Sequence, residues 1–428
     1  MEPLINNAET AERFLAEGTP GAAETVARIA LSQNPMNPRA WRVLAGVAGA
    51  VGDEFFAARF DAMARTTDLA GMPARVELEA ARGEPSREPE RFLLIKAWGY
   101  GFFSDLDHVL GCLLLAEMTG RTPVTHWGTN SLFRLDSGQD AFRAYLEPLS
   151  PYTVDDLTGK GHDFWPARWK DSTLREEKFG KHQGPDSRFS AIQALHRPER
   201  VVVSDYHTSV STLLNWLLPW HPMYGKSVEQ AIRYLMMKHL KPVAEVRAQV
   251  DEFVAKRFAS RPVIAAHVRG SDKFIEDPLH EQRIAHVMKA VDFHFAKNPG
   301  SLVFLMTDSS PVVEAYRKRY GPRLLATDCT RTNTRTGLHY MGTRDRRKLG
   351  VEVLRDAQIA LRSDLFVGMG TSNVACGIFH WKEWAPGTSL ILGTPMNHLQ
   401  DPMQFMNVEQ LKRYFEPKQV EVWLKSWV

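Results

Sequence analysis

Cysteine is scarce in this chain of 428 residues. Cys112, Cys329 and Cys376 form no CxxC pair, which excludes a disulfide framework and a zinc ribbon and points to a reducing compartment. An excess of charge of one sign is also missing. With 53 basic and 50 acidic residues the formal charge is +3, so no global field argues for nucleic acid or an anionic membrane as partner. The longest apolar run, 109–118, contains Gly111 and Glu117 and is too short to cross a bilayer. The opening MEPLINNAET lacks the basic and apolar regions of a signal peptide. The expectation is a cytoplasmic protein with no transmembrane segment. What remains is ordinary composition, 44% apolar and 24% charged, at a length that suits two or three domains at roughly 150 residues each.

Residues 7–70 carry apolar positions at helical spacing, as in Phe14, Leu15, Val26, Ile29, Leu44 and Val47. Thr19 and Pro20 read as a helix start, and the NPMNP run at 34–38 as its end. Ala23 and Ala30 recur 34 positions later as Ala57 and Ala64, with Trp41 and Leu44 opening the second unit. This spacing predicts a tetratricopeptide-like pair over 1–80; an unrelated four-helix segment is the alternative. Two such repeats cannot bury their own faces, so they should lean on the rest of the chain or recruit a protein partner. The polar stretch 81–91 reads as a linker.

Beyond it the pattern alternates. Short apolar runs at 92–97, 201–204, 262–268, 302–306, 365–368 and 390–392 mostly lead into amphipathic segments. That grammar predicts α/β architecture with two doubly wound parallel sheets, one over 91–250 and one over 251–400, followed by a helix within 401–428. Paired sheets facing a cleft are the GT-B arrangement. Residues 127–190 break the pattern with Trp127, Phe164, Trp165, Trp169 and Phe179 among charges. Such a region suits a sugar-binding surface or an insertion packed on its own aromatics.

Four stretches could carry chemistry. His267-Val268-Arg269-Gly270-Ser271-Asp272-Lys273 follows an apolar strand, at the edge where open sheets bind ligands. A guanidinium there is costly unless an anion meets it, and its fork suits phosphate; pairing with Asp272 is the structural alternative. Gly99-Tyr100-Gly101 precedes a helix whose free N–H groups could meet a phosphate. In the same stretch Asp105-Leu106-Asp107 resembles a metal-binding DxD, but helix-start chemistry with Ser104 as cap is the preferred reading, so no metal site is expected. Asp308 follows the fourth strand, with Ser310-Pro311 starting a helix. Finally, a basic turn at Arg344, Arg346, Arg347 and Lys348 leads into a helix with Glu352 and Asp356. A strand then ends in Gly370-Thr371-Ser372-Asn373, a turn suited to cradling a diphosphate.

HVRGSDK at 267–273, TD at 307–308, GLH at 337–339 and GTSN at 370–373 stand in the order found in α-1,6-fucosyltransferases, the family of nodulation and core N-glycan enzymes. The sequence resembles that family in patches over 92–382, most sharply over 264–377. The resemblance implies an inverting, metal-independent glycosyltransferase with GDP-fucose as donor substrate, no cofactor, and a glycan or glycoconjugate acceptor on the side of the first sheet. Arg269 would grip the β-phosphate beside Lys273. His267, Asp308, Asp356, Thr371, Ser372 and Asn373 would hold the nucleotide, and Gly99, Tyr100 and Gly101 would close over it. Two departures stand out. The family's second arginine is here Gly270, and the family's glutamate base has two neighbours near its place, Glu276 and Asp277. The rival readings are a GT-B enzyme with another nucleotide sugar, or a non-catalytic nucleotide-sugar-binding module with a helical recruiting region.

Overall fold

The computed structural model describes residues 7–33, 37–54, 57, 60–61, 64, 90–176, 191, 194–195, 197–204, 207–214, 217, 221–276, 280–341 and 345–393. The expected linker at 81–89, Phe179, Arg344 and the C-terminal helix at 401–428 lie outside these.

The chain opens with three helices: α1 (Asn7–Ala16), α2 (Pro20–Gln33) and α3 (Pro38–Ala50). Small side chains let them approach closely. Ala11, Ala23, Ala27, Ala30 and Ala40 are buried with Leu31, Leu44 and Trp41, and Trp41 stacks on Phe60 at 6.0 Å. Met118 and Leu195, from outside the helical unit, pack against this cluster. The second helix starts at Pro20 and ends at Gln33 as expected, and one local expectation, Thr19 as its cap, is corrected. The Thr19 hydroxyl donates to the Phe14 carbonyl at 2.8 Å, because it folds back onto the end of α1. It is Asn37 that caps a helix, its side chain accepting from the Arg39 and Ala40 N–H groups at the start of α3.

Two parallel sheets follow. The first contains β1 (Phe92–Lys96), β2 (Thr122–His126), β3 (Phe164–Trp165) and β4 (Val201–Ser204) in the order β2-β1-β4-β3. The helix between β1 and β2 is α4 (Phe102–Thr119). After β4 come α5 (Val210–Leu214), α6 (Val228–His239) and α7 (Ala244–Arg257). The second sheet contains β5 (Val263–His267), β6 (Leu302–Met306), β7 (Leu324–Leu325), β8 (Leu365–Met369) and β9 (Ser389–Leu392) in the order β7-β6-β5-β8-β9. Its helices are α8 (His280–Lys297), α9 (Ser310–Tyr320), α10 (Arg346–Ala360) and α11 (Asn373–Trp381). This is the expected α/β architecture of paired parallel sheets. No described helix is long and apolar enough to cross a membrane.

β1, β4, β5 and β6 are buried along their whole length, which is why they read as unbroken apolar runs. One hydrophobic cluster runs through both sheets: Leu93, Ile95 and Val202 belong to it with Val263, Phe304 and Phe366. The region over 127–190 serves this packing. Trp127, Trp165 and Trp169 are 0%, 4% and 2% exposed, and Trp169 and Leu174 cover the outer face of the first sheet with Val154 and Leu157. The sugar-surface expectation for these tryptophans is therefore overturned. Trp127 and Trp165 pack in the cluster shared by both sheets and Trp169 on the outer face, where their large apolar area closes the core.

Both sheets share a topological feature. β1 pairs with β2 on one side and β4 on the other, and β5 likewise with β6 and β8. In the second sheet the chain leaves β5 towards β6 on one side and β8 towards β9 on the other, which opens a crevice at the carboxyl ends of β5 and β8, the position where open α/β sheets take ligands.

Candidate active site

The crevice between β5 and β8 opens into a cavity of about 470 Å³ between the two halves, within the size range of small-molecule sites. Its walls include His267, Arg269, Asp272 and Lys273 after β5, Thr307 and Asp308 after β6, and Ser372 and Asn373 after β8. Glu352 and Asp356 on α10 face it, and Tyr100 and Gly101 close it from the first half. Nine of the thirteen candidate residues line this one space. Gly99 and Thr371 stand one residue behind the wall. Glu276 ends the short helix Lys273–Glu276, while its side chain and all of Asp277 lie outside the described residues.

Arg269 is held from two directions. Its Nε and Nη2 donate to Asp272 Oδ1 at 3.0 and 2.6 Å, and Nε lies 3.3 Å from Asp308 Oδ2. The pairing with Asp272 considered from spacing alone is therefore present. Burial by itself would raise the Asp272 carboxyl. The Arg269 charge and hydrogen bonds, with Ser271 and His339, outweigh that and hold it below its usual range. Asp308 also accepts from the Gly270 N–H at 2.8 Å and from the Ser271 hydroxyl, so in this structure its carboxylate shapes the 269–271 loop. Gly270 has a steric reason for its identity: a Cβ there would sit 2.4 Å from Ser309 Cβ. The loop presses so closely on the start of α9 that a second arginine at this position has no room.

His267 is 5% exposed, and its Nδ1 has no hydrogen-bond partner among the described residues. Burial, with Arg269 nearby, lowers its pKa to about 4 against a smaller opposing pull from Asp308. It is therefore a neutral ring with an unmet polar atom, a costly state that a ligand would relieve. The Thr371 hydroxyl is likewise buried without a partner among the described residues. Beside it α11 begins, its Ser372 N-cap making no side-chain capping bond, which leaves N–H groups of the first turn for an anion.

The opposite end of the cavity is acidic. Burial pushes the Asp356 carboxyl up, opposed by Arg355 and by the Thr327 hydroxyl, which donates to both carboxylate oxygens at 3.0 and 2.8 Å. Glu352 accepts from the Thr330 N–H at 2.9 Å. Between them lies Cys329, its thiol pushed up to about 12 by burial first of all, an inert wall rather than a nucleophile. One end thus suits an anion and the other a group rich in N–H or O–H donors.

The glycine turn differs from expectation in its support. Gly99 has φ +85°, a conformation that favours glycine. α4 starts at Phe102 with Gly101 as N-cap, so Ser104 lies inside the helix and caps nothing. The physical reason is Asp105, whose buried Oδ1 accepts from the Gly99 and Tyr100 N–H groups at 2.7 and 3.2 Å. Asp107 turns elsewhere, to His207 at 3.5 Å. α9 starts at Ser310-Pro311 as expected, with Ser309 as its N-cap.

Sequence reasoning did not assign Cys329, Thr330, Phe133 or Tyr340 to the site. The first two follow a two-residue strand that leaves no periodic signal, and the other two lie in irregular turns.

No protein-family model and no curated protein matches the chain. Among solved structures it is similar to NodZ alpha-1,6-fucosyltransferase co-crystallised with GDP, at 21% identity over 68% of this chain and 92% of that one, with a TM-score of 0.46. The fucosyltransferase NodZ from Bradyrhizobium gives the same values. POFUT1 in complex with GDP-fucose is similar at 14% identity over 72% of this chain and all of the other, with a TM-score of 0.45.

Proposed function

We propose that the protein is an inverting glycosyltransferase that moves fucose from GDP-fucose to a hydroxyl of a glycan or glycoconjugate. The observation that carries this reading is the cavity at the β5–β8 crevice. There a positioned arginine, a helix N-terminus and the unmet Nδ1 of buried His267 stand opposite two carboxylate-bearing residues. A nucleoside diphosphate matches both ends, and the HVRGSDK and GTSN motifs add the resemblance to GDP-fucose users.

In this reading Arg269 and Lys273 meet the diphosphate, with Ser372, Asn373 and the α11 N-terminus beside them and Thr371 supporting the turn. His267 and Asp308 stand towards the ribose, Asp356 takes the donor groups of the base, and the Gly99-Tyr100-Gly101 turn covers the nucleotide. Transfer is one in-line displacement at the anomeric carbon. The acceptor oxygen forms a bond to C1 as the C1–O bond to phosphate breaks, its electron pair leaving with GDP. Charge therefore grows on the β-phosphate, where Arg269 acts. The cations of this site are side chains, so turnover is expected to survive excess EDTA; a loss restored by manganese would argue for a metal at Asp105 or Asp107.

The test is a thermal melt with GDP, UDP and ADP at equal concentration. Binding to the folded state alone raises the midpoint. GDP should raise it while UDP and ADP do not, and an equal or larger shift with UDP would sink the GDP assignment.

A further inference from the structure

Helix α10 carries two acids one turn apart, Glu352 and Asp356, and the spacing of four puts both on one face. That face lines the cavity, and each of the two residues is 6% exposed. The Cys329 thiol marks where they converge, since burial first, then the charge of Asp356 and more weakly that of Glu352, push it up. A buried carboxylate is costly unless donors surround it, so the donors present show how far each acid is already engaged. Asp356 accepts from the Thr327 hydroxyl, shared between its two oxygens, and from Arg355 Nε at 3.1 Å. Glu352 accepts from the Thr330 N–H at 2.9 Å through Oε2 and from the Thr330 hydroxyl at 3.3 Å through Oε1. Lys348 Nζ lies 3.7 Å from Oε1, but its side chain is 61% exposed, and such a pair contributes little in water. A carboxylate offers about four lone-pair sites. Glu352 thus brings to the cavity wall an acceptor that the Thr330 contacts do not exhaust.

We propose that Glu352 determines the choice of nucleotide base: its carboxylate accepts from the exocyclic 2-amino group of guanine and shares the donor edge of that base with Asp356. This rests on the GDP-fucose reading above, and the family resemblance gives Glu352 no role. Guanine presents N1–H and the 2-amino group side by side, more donors than Asp356 can meet while Thr327 and Arg355 hold it. A second acid one helical turn away supplies the missing acceptor. Adenine sets its amino group next to an unprotonated ring nitrogen, and uracil has a single N–H flanked by two carbonyls. Either base would turn lone pairs towards the two acids. A site built on buried acceptors rejects the base that lacks the matching donors, because the acceptors are then left unmet.

The experiment measures affinity by calorimetry for GDP, for inosine diphosphate, which lacks the 2-amino group, and for xanthosine diphosphate, which has a carbonyl in its place. Wild type should bind GDP roughly tenfold or more tighter than inosine diphosphate. In Glu352→Gln the amide oxygen can still accept from the Thr330 N–H, so the turn at 329–330 keeps its support, and a melt without nucleotide checks the fold. This variant should bind GDP about tenfold more weakly while its affinity for inosine diphosphate stays nearly unchanged. It should also bind xanthosine diphosphate more tightly than wild type does, because the amide N–H donates to the C2 carbonyl. A residue that only supports the turn would weaken GDP and inosine diphosphate alike, and that result overturns the proposal. So does equal affinity of wild type for these two, or a gain in xanthosine diphosphate binding that appears in Asp356→Asn and not in Glu352→Gln. A wild-type protein that binds none of the three overturns the nucleotide reading first, and this inference with it.

Discussion

Arg269 concentrates what a single residue can do in this fold. Its guanidinium is already aimed by Asp272 and Asp308, so little reorganisation would accompany the arrival of the diphosphate proposed above. Arg269→Ala should lower turnover by roughly a hundredfold or more, exceeding its effect on GDP affinity because the contact strengthens as the bond breaks. Arg269→Lys should not restore it, since an ammonium lacks the fork. Turnover and GDP affinity of both variants decide this, and a near-normal folded Arg269→Ala would remove the role. Its neighbour gives a stability test. Gly270→Ala forces a Cβ against Ser309 and should cost about 1–3 kcal/mol, read from chemical denaturation; an unchanged midpoint would mean that the loop yields freely. Arg269, His267 and Ser372 were legible in the sequence because each closes or follows a strand recognisable by its apolar run. Spacing also offered the Asp272 pairing, but the work of Asp105 was not legible, since it lies in which groups its carboxylate reaches.

At the scale of elements, burial governed legibility. The runs at 92–96, 201–204, 263–267 and 302–306 are buried throughout and match the expected strands within one or two residues. β2, with the sequence TPVTH, pairs beside β1 although only Pro123 and Val124 in it are apolar. Its place is set by the neighbour, not by its own pattern. The start of α4 was misplaced for a related reason: Asp105 makes bonds that a spacing rule does not specify. The N-terminal helices form a cluster of their own and none of their residues lines the cavity. A fragment starting near Glu88 should therefore bind GDP with affinity close to that of the full chain, with reduced solubility because Met118 and Leu195 lose their cover. A folded fragment that does not bind GDP would show that the helices support the nucleotide site.

For the whole molecule, buried histidines set the response to acid. Burial lowers His108 to about 3, and His126 and His267 to about 4, with nearby positive charge contributing in each. Below pH 6.5 the unfolded chain takes up protons at these rings while the folded one does not. Stability therefore falls as pH drops from 6.5 towards 4, by about 1.4 kcal/mol per pH unit per group. The raised Asp356 works in the opposite direction, since its folded form takes up a proton more readily than the unfolded one. Three rings outweigh one carboxyl. The melting temperature should fall between pH 7 and pH 5, and a flat profile there would mean that these rings are charged in the folded state.

The cluster that runs through both sheets has a mechanical consequence. Arg346 Nη1 donates to the Leu132 carbonyl at 3.0 Å and the Tyr145 hydroxyl to the Arg346 carbonyl at 3.5 Å, so these polar ties between the halves lie over the same shared apolar interior. Separating the halves would expose that interior at once, a cost that rises with the area uncovered. Under load the molecule has one yield point instead of two. The cleft is consequently a rigid frame, and in the proposed reading the traffic of nucleotide in and out would fall to short segments at its rim, such as the 99–101 turn and the 337–341 stretch that carries exposed Tyr340.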